Sequence, residues 1–118
     1  MSYPSSALLV GVDDSVTEVL LSRWPDYRNH LDGEEFFINV SPSVTLWVNE
    51  AAWWSRRPMP INNIGCVLNP YPKYIRGPML VTGPNRSGVT PVGRKAVELA
   101  AQVAAVLVED NKHKEDQP

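Results

Sequence analysis

Two six-residue runs, residues 35–40 (EFFINV) and Val44–Asn49 (VTLWVN), stand on either side of Ser41-Pro42-Ser43. No other pattern constrains the fold as strongly. Proline fixes φ and cannot donate to a ladder, so the chain reverses at Pro42 and the two runs pair as antiparallel neighbours. Alternation sets Val44, Leu46 and Val48 on one face and Thr45, Trp47 and Asn49 on the other. Residues 7–12 and Val16–Leu21, separated by Asp13-Asp14-Ser15, repeat the arrangement near the start of the chain. In the second of these, Thr17, Val19 and Leu21 form the more apolar side, as in a strand with one partly solvated face. Residues 74–82 (YIRGPMLVT) make a fifth run, whose Pro78 places its first half at a sheet edge or bulge.

Helical signals fall between and after these runs. Ser22 is a suitable N-cap for a helix over residues 23–31, with Pro25 in its first turn and Trp24, Tyr27 and Leu31 at helical spacing. Asp32-Gly33 ends it. A second short helix opens at Pro60 or Ile61, carries Ile64, Val67 and Leu68, and stops at Asn69-Pro70. Thr90-Pro91 starts a long helix running to about Glu109. Val92, Ala96, Leu99, Val103 and Val106 recur there at three- and four-residue intervals, widened by Ala100 and Leu107, with Arg94, Lys95, Glu98 and Gln102 elsewhere on its surface. This amphipathic helix packs against the sheet or a partner. An unbroken apolar stripe left exposed on it would favour a homodimer. The sum is an α+β fold: a mostly antiparallel sheet of about five strands, two short helices and one long C-terminal helix. Residues 1–110 form one domain and 111–118 a polar tail.

A chain of 118 residues suits one domain, and 43% apolar content suffices for one core. No apolar run approaches the roughly 20 residues that span a bilayer. The first residues lack the basic region of a secretory leader. Cys66 is the single cysteine, which excludes an internal disulfide and a cysteine metal cluster. The expectation is a cytoplasmic protein without membrane contact. Charge is segregated: residues 1–50 hold eight acids against Arg23 and Arg28, whereas residues 51–97 hold seven basic residues and no acid. Either the two regions neutralise each other across the fold, or the central block is a basic face for an anionic partner.

In their order and spacing, the segments ALLVGVDDSVTEVLL, LWVNEAA, PINNIG and IRGPMLVTG resemble a family of small proteins carried by bacteriophages, other mobile elements and their hosts, catalogued as a domain of unknown function. The resemblance covers roughly residues 7–83 and maps an Asn-Glu onto Asn49-Glu50, a Pro-x-Asn turn onto Pro60-Ile61-Asn62, and a glycine onto Gly77. The chain departs from that pattern at AAWWSRRPM, which is more aromatic and basic, and in its long alanine-rich helix. The resemblance implies a phage or mobile-element accessory protein, acting in the host cytoplasm if phage-encoded. It implies no mechanism.

The candidate chemistry is sparse. Residues 83–90 (GPNRSGVT) lie between a strand and a helix as a phosphate-binding loop does, but Val89 stands where the lysine belongs. His30 and His113 have no metal-ligand spacing, so neither a metal nor a cofactor is expected. Cys66 suits a core position better than a nucleophile. Asn49, Glu50 and Asn62 either pin turns through side-chain-to-backbone hydrogen bonds or floor a polar pocket beneath Trp53 and Trp54. Trp53, Trp54, Tyr71 and Tyr74 alternate with Arg56, Arg57, Lys73 and Arg76, a mixture suited to stacking on a partner. The resulting expectation is a non-enzymatic protein that binds a host protein or small ligand through residues 49–76. Its binding residues would be Asn49, Glu50, Trp53, Trp54, Arg56, Arg57, Asn62, Tyr74 and Arg76. The alternative is a nucleic-acid-binding module using the basic, aromatic block 51–97.

Overall fold

The computed structural model describes residues 5–115, with side chains over residues 5–107. Five strands, β1 (Ser5–Val10), β2 (Val16–Leu21), β3 (Glu35–Ser41), β4 (Val44–Asn49) and β5 (Met79–Thr82), form one antiparallel sheet in the order β2-β1-β5-β4-β3. The fold is α+β, as the alternating runs require. The hairpin β3–β4 pairs Phe37 with Trp47 and Ile38 with Leu46, and its register slips between Asn39 and Ser41 just before the Pro42 turn. β5 is shorter than its apolar run. Upstream of Pro78 the chain makes only an isolated bridge between Ile61 and Arg76.

Helices cover both faces. On one, α1 (Trp24–Leu31) packs Tyr27 and Leu31 against Ala7, Leu21, Trp47 and Leu80. Asp26 fastens the start of α1 by accepting from the backbone N–H groups of Ser22 (2.8 Å) and Arg23 (3.2 Å). Its other end turns through Asp32, at φ 57°, rather than through Gly33. Gly33 is required for another reason: a Cβ there would lie 2.5 Å from the Asn49 amide nitrogen. A single turn, α2 (Glu50–Trp53), follows β4 directly, where no helical periodicity is visible in the residues, and buries Trp53. On the opposite face, α3 (Asn63–Leu68) and α4 (Pro91–Glu115) contribute Ile64, Val97, Ala100 and Ala104 to a core with Leu8, Val10, Val44, Leu46, Val48, Met79 and Val81.

Two expectations for α4 change. The face turned inward is Gly93, Val97, Ala100 and Ala104, while Val92, Leu99, Val103 and Val106 are exposed. Small side chains let the helix axis approach its neighbours closely, so the narrower stripe packs and the larger side chains are left outside. The helix also continues to Glu115, beyond the expected end near Glu109 and into the segment assigned to a tail. Past Gly93, no glycine or proline interrupts it before Pro118. The remaining expected tail residues, 116–118, lie outside the described residues. No described helix is long and apolar enough to cross a membrane.

The segregated charges meet across the fold. Arg57 reaches Asp32 at 2.6 Å, Arg56 reaches Glu50 at 3.7 Å, and Arg94 of α4 pairs with Glu18 of β2. Three of the seven basic residues of the central block are thereby matched by acids from the first fifty residues.

Candidate functional site

The residues singled out between 49 and 76 separate into three places. Asn49, Glu50, Arg56 and Arg57 border a shallow cleft of about 400 Å³ with Gly33 and Glu34. Asn49 itself is 1% exposed. Its amide donates to the carbonyls of Leu31 (3.1 Å) and Asp32 (3.0 Å), and its Oδ1 accepts from Ala52 N–H (3.0 Å), capping α2. Arg57 is clamped on Asp32 through both its carbonyl and its carboxylate. The cleft therefore has little unmatched charge.

Asn62 has the same design on the other side of the sheet. It is fully buried, donates to Val10 O and Gly77 O (3.0 Å each), and accepts from Gly65 N–H (2.9 Å) as the cap of α3. Both asparagines staple backbone to backbone. Tyr74 and Arg76 lie near Asn62 but outside the core, Arg76 donating to Met59 O (3.2 Å) and stacking 6.0 Å from the Tyr74 ring. Cys66 Sγ lies between Ile75 O (3.7 Å) and Ile75 N–H (3.3 Å), and burial pushes its thiol pKa up, which keeps it protonated and a poor nucleophile.

The third place is aromatic. Trp53 is buried, whereas Trp54 is 51% exposed. The Lys73 ammonium lies 4.6 Å from the Trp53 ring centroid and 4.4 Å from that of Trp54. Phe36 of β3 stacks on Trp53 (5.7 Å) and meets Trp54 edge-on (5.9 Å). Phe36, Phe37, Ile38 and Asn39 of β3 border a concavity of about 220 Å³ with Trp53 and Tyr71.

A larger concavity, about 490 Å³, lies on the other side of the same strand. Its wall is built by Trp24 of α1, Phe37 of β3 and Trp47 of β4. Trp47 is the centre, 5.8 Å from both Trp24 and Phe37, and fixed by donating its indole N–H to Thr82 Oγ1 at 2.9 Å. Thr45 Oγ1 donates to Asn39 Oδ1 (3.2 Å), and the Asn39 amide nitrogen has no partner among the described residues. Arg86 closes the rim, its guanidinium carbon 3.2 Å from the Trp24 centroid. Asn85 and Arg86 both hold positive φ, 53° and 61°. Asn tolerates that conformation; for Arg it is unfavourable, and the stack on Trp24 offsets it. Glu35, on the same border, is engaged by Arg28 at 2.9 Å.

Sequence reasoning missed this concavity. Trp24 reads as part of a buried stripe but is only partly buried, and Phe37, 55% exposed, carries no local signal of its own. Arg86 belongs to a loop considered only as a phosphate cradle. A usable signal was Trp47 in register with Phe37, two large aromatics opposite each other on a face that α1 is too short to cover.

The arrangement offers apolar and stacking contact with a few amides and one cation, and no convergent acid–base pair. Among the described residues no three His, Cys, Asp or Glu side chains gather as a metal ion would require. Comparison of the chain with protein-family models, curated proteins and solved structures finds no match.

Proposed function

We propose that this chain is a non-enzymatic binding protein that takes an extended segment of a partner protein along β3. One observation carries the reading: the edge strand β3 borders two aromatic concavities, each lined by residues of the strand itself. Phe37 and Asn39 line the Trp24–Trp47–Arg86 concavity, and Phe36 and Ile38 join the same two residues in lining the Trp53–Tyr71 one. A strand added to a sheet edge gains main-chain hydrogen bonds, and its successive side chains point to opposite faces. Two cavities on opposite faces are what such a ligand can use. The surface includes Trp53 and Trp54 of the expected region but is centred on β3 rather than on residues 49–76. Nucleic-acid binding is less favoured because Arg56, Arg57 and Arg94 are already matched by carboxylates.

The reading is tested by selecting binders from a displayed library of random linear peptides, then mapping them by amide chemical-shift changes. The expected peptides carry large apolar residues at alternating positions and perturb residues 35–41. Their affinity should fall at least tenfold in Phe37→Ala, with melting nearly unchanged because that ring is largely exposed. Peptides that perturb only residues outside β3 would refute the reading. Oligonucleotide binding with a steep salt dependence would replace it with the nucleic-acid alternative.

A further inference from the structure

α4 carries two apolar stripes, and its own domain covers only one. The covered stripe is Gly93, Val97, Ala100 and Ala104. The uncovered one is Val92, Ala96, Leu99, Val103 and Val106, spaced 4-3-4-3 along the chain, which is the a/d spacing of a helix that pairs with another helix. Val92, Leu99, Val103, Val106 and Leu107 remain 46–67% exposed. Together they present roughly 400 Å² of apolar-residue surface, in the range that marks an interaction site on a monomer.

We infer that this stripe is the seam of a homodimer in which α4 of one copy packs antiparallel on α4 of a second. Two features favour a second copy of this chain. The first is area: two such stripes with their rims of Lys95 and Gln102 come to roughly the 1,000 Å² that a specific interface requires. The second is self-complementarity. Antiparallel pairing sets Leu99 opposite Val103 of the other copy and Ala96 opposite its Val106, small against large, whereas parallel pairing sets Ala96 on Ala96 and leaves a gap. The seam lies on the α3–α4 side of the sheet, and the dimer leaves the Trp24–Arg86 concavity, across the sheet from α4, open to a partner.

Sedimentation of the full chain at tens of micromolar tests this. The expected mass is twice 13.1 kDa. Leu99→Lys and Val103→Glu should each weaken the dimer at least a hundredfold, with far-UV circular dichroism and melting of the monomer retained because both side chains are half-exposed. Mixing the two variants should restore dimers, because the antiparallel seam sets the introduced lysine of one chain against the introduced glutamate of the other. A wild-type chain that stays monomeric at 100 µM, or a Leu99→Lys variant that still dimerises, overturns the proposal. Failure of the mixture to recover overturns the antiparallel register.

Discussion

Replacing Asn62 by alanine removes three hydrogen bonds at one fully buried site, and each loss can be assigned. Losing the α3 cap costs about 1 kcal/mol. The carbonyls of Val10 and Gly77 then lose a buried donor each, at roughly 1–3 kcal/mol apiece. The total is about 4 kcal/mol, a large part of the roughly 5–15 kcal/mol that holds a domain folded. For a chain of this size the melting temperature should fall by about 15 °C, read by circular dichroism or scanning calorimetry. Asn62→Asp sharpens the test. It keeps the shape and the Oδ1 acceptor but points a carboxylate at two carbonyls, so burial and repulsion raise its folded pKa above the unfolded value of about 3.9. A raised pKa means that the protonated form is favoured in the fold. Stability is then best retained below about pH 4 and is lost as pH rises through the folded pKa. The variant should therefore melt lower at pH 7 than at pH 4, relative to wild type. A fall of under 5 °C for alanine, or a pH-independent deficit for aspartate, would show that Asn62 is not a staple.

Other substitutions probe separate contacts. Gly65→Ala lies inside α3, where the exchange ordinarily stabilises by about 1 kcal/mol. Here the new methyl would meet Ile75 Cγ2 at 2.8 Å and Met79 Sδ at 3.2 Å, so denaturant titration should show a loss of about 1–3 kcal/mol instead. The Cys66 thiol should react with an aromatic disulfide reagent at pH 8 at least tenfold more slowly than a free thiol, and at the free rate once the chain is unfolded; equal rates would show that burial does not protect it. The Ser22 N–H, with lesser help from its hydroxyl and from Arg23, holds the Asp26 carboxyl below its ordinary 3.8. A depressed pKa stabilises above the unfolded value, and that contribution disappears as pH falls through the folded one. The melting difference between wild type and Asp26→Asn should thus be constant from pH 5 to 7 and shrink below pH 4.

Much of this architecture is legible in the residues because local rules and tertiary contacts agree. Pro42 forces the β3–β4 reversal, and the alternation in VTLWVN separates the two cores as expected. Val44, Leu46 and Val48 join one and Trp47 the other. Asn49 and Asn62 at strand and helix ends read as turn supports, and that is the bonding they show. What resisted was any question of which surface meets which. Periodicity reveals that α4 has apolar faces but not which packs inward, and the choice fell to close approach by Gly93, Ala100 and Ala104. α2 was hidden because one helical turn held by an Asn49 cap has no period to detect. The main concavity combines residues 24, 37, 47 and 86, brought together only by strand order.

That strand order has a consequence for how the protein comes into being. Among the described residues, hairpin β1–β2 and hairpin β3–β4 share no strand pairing, and the strand that joins them is β5, four fully buried residues near position 80. A fragment ending at Pro78 should accordingly lack a cooperative melt, and a sharp transition in that fragment would contradict this. During synthesis the chain must hold two half-sheets apart, each with an inner edge unsatisfied, until residues 79–82 leave the ribosome. The last strand made is the one that turns two hairpins into a protein.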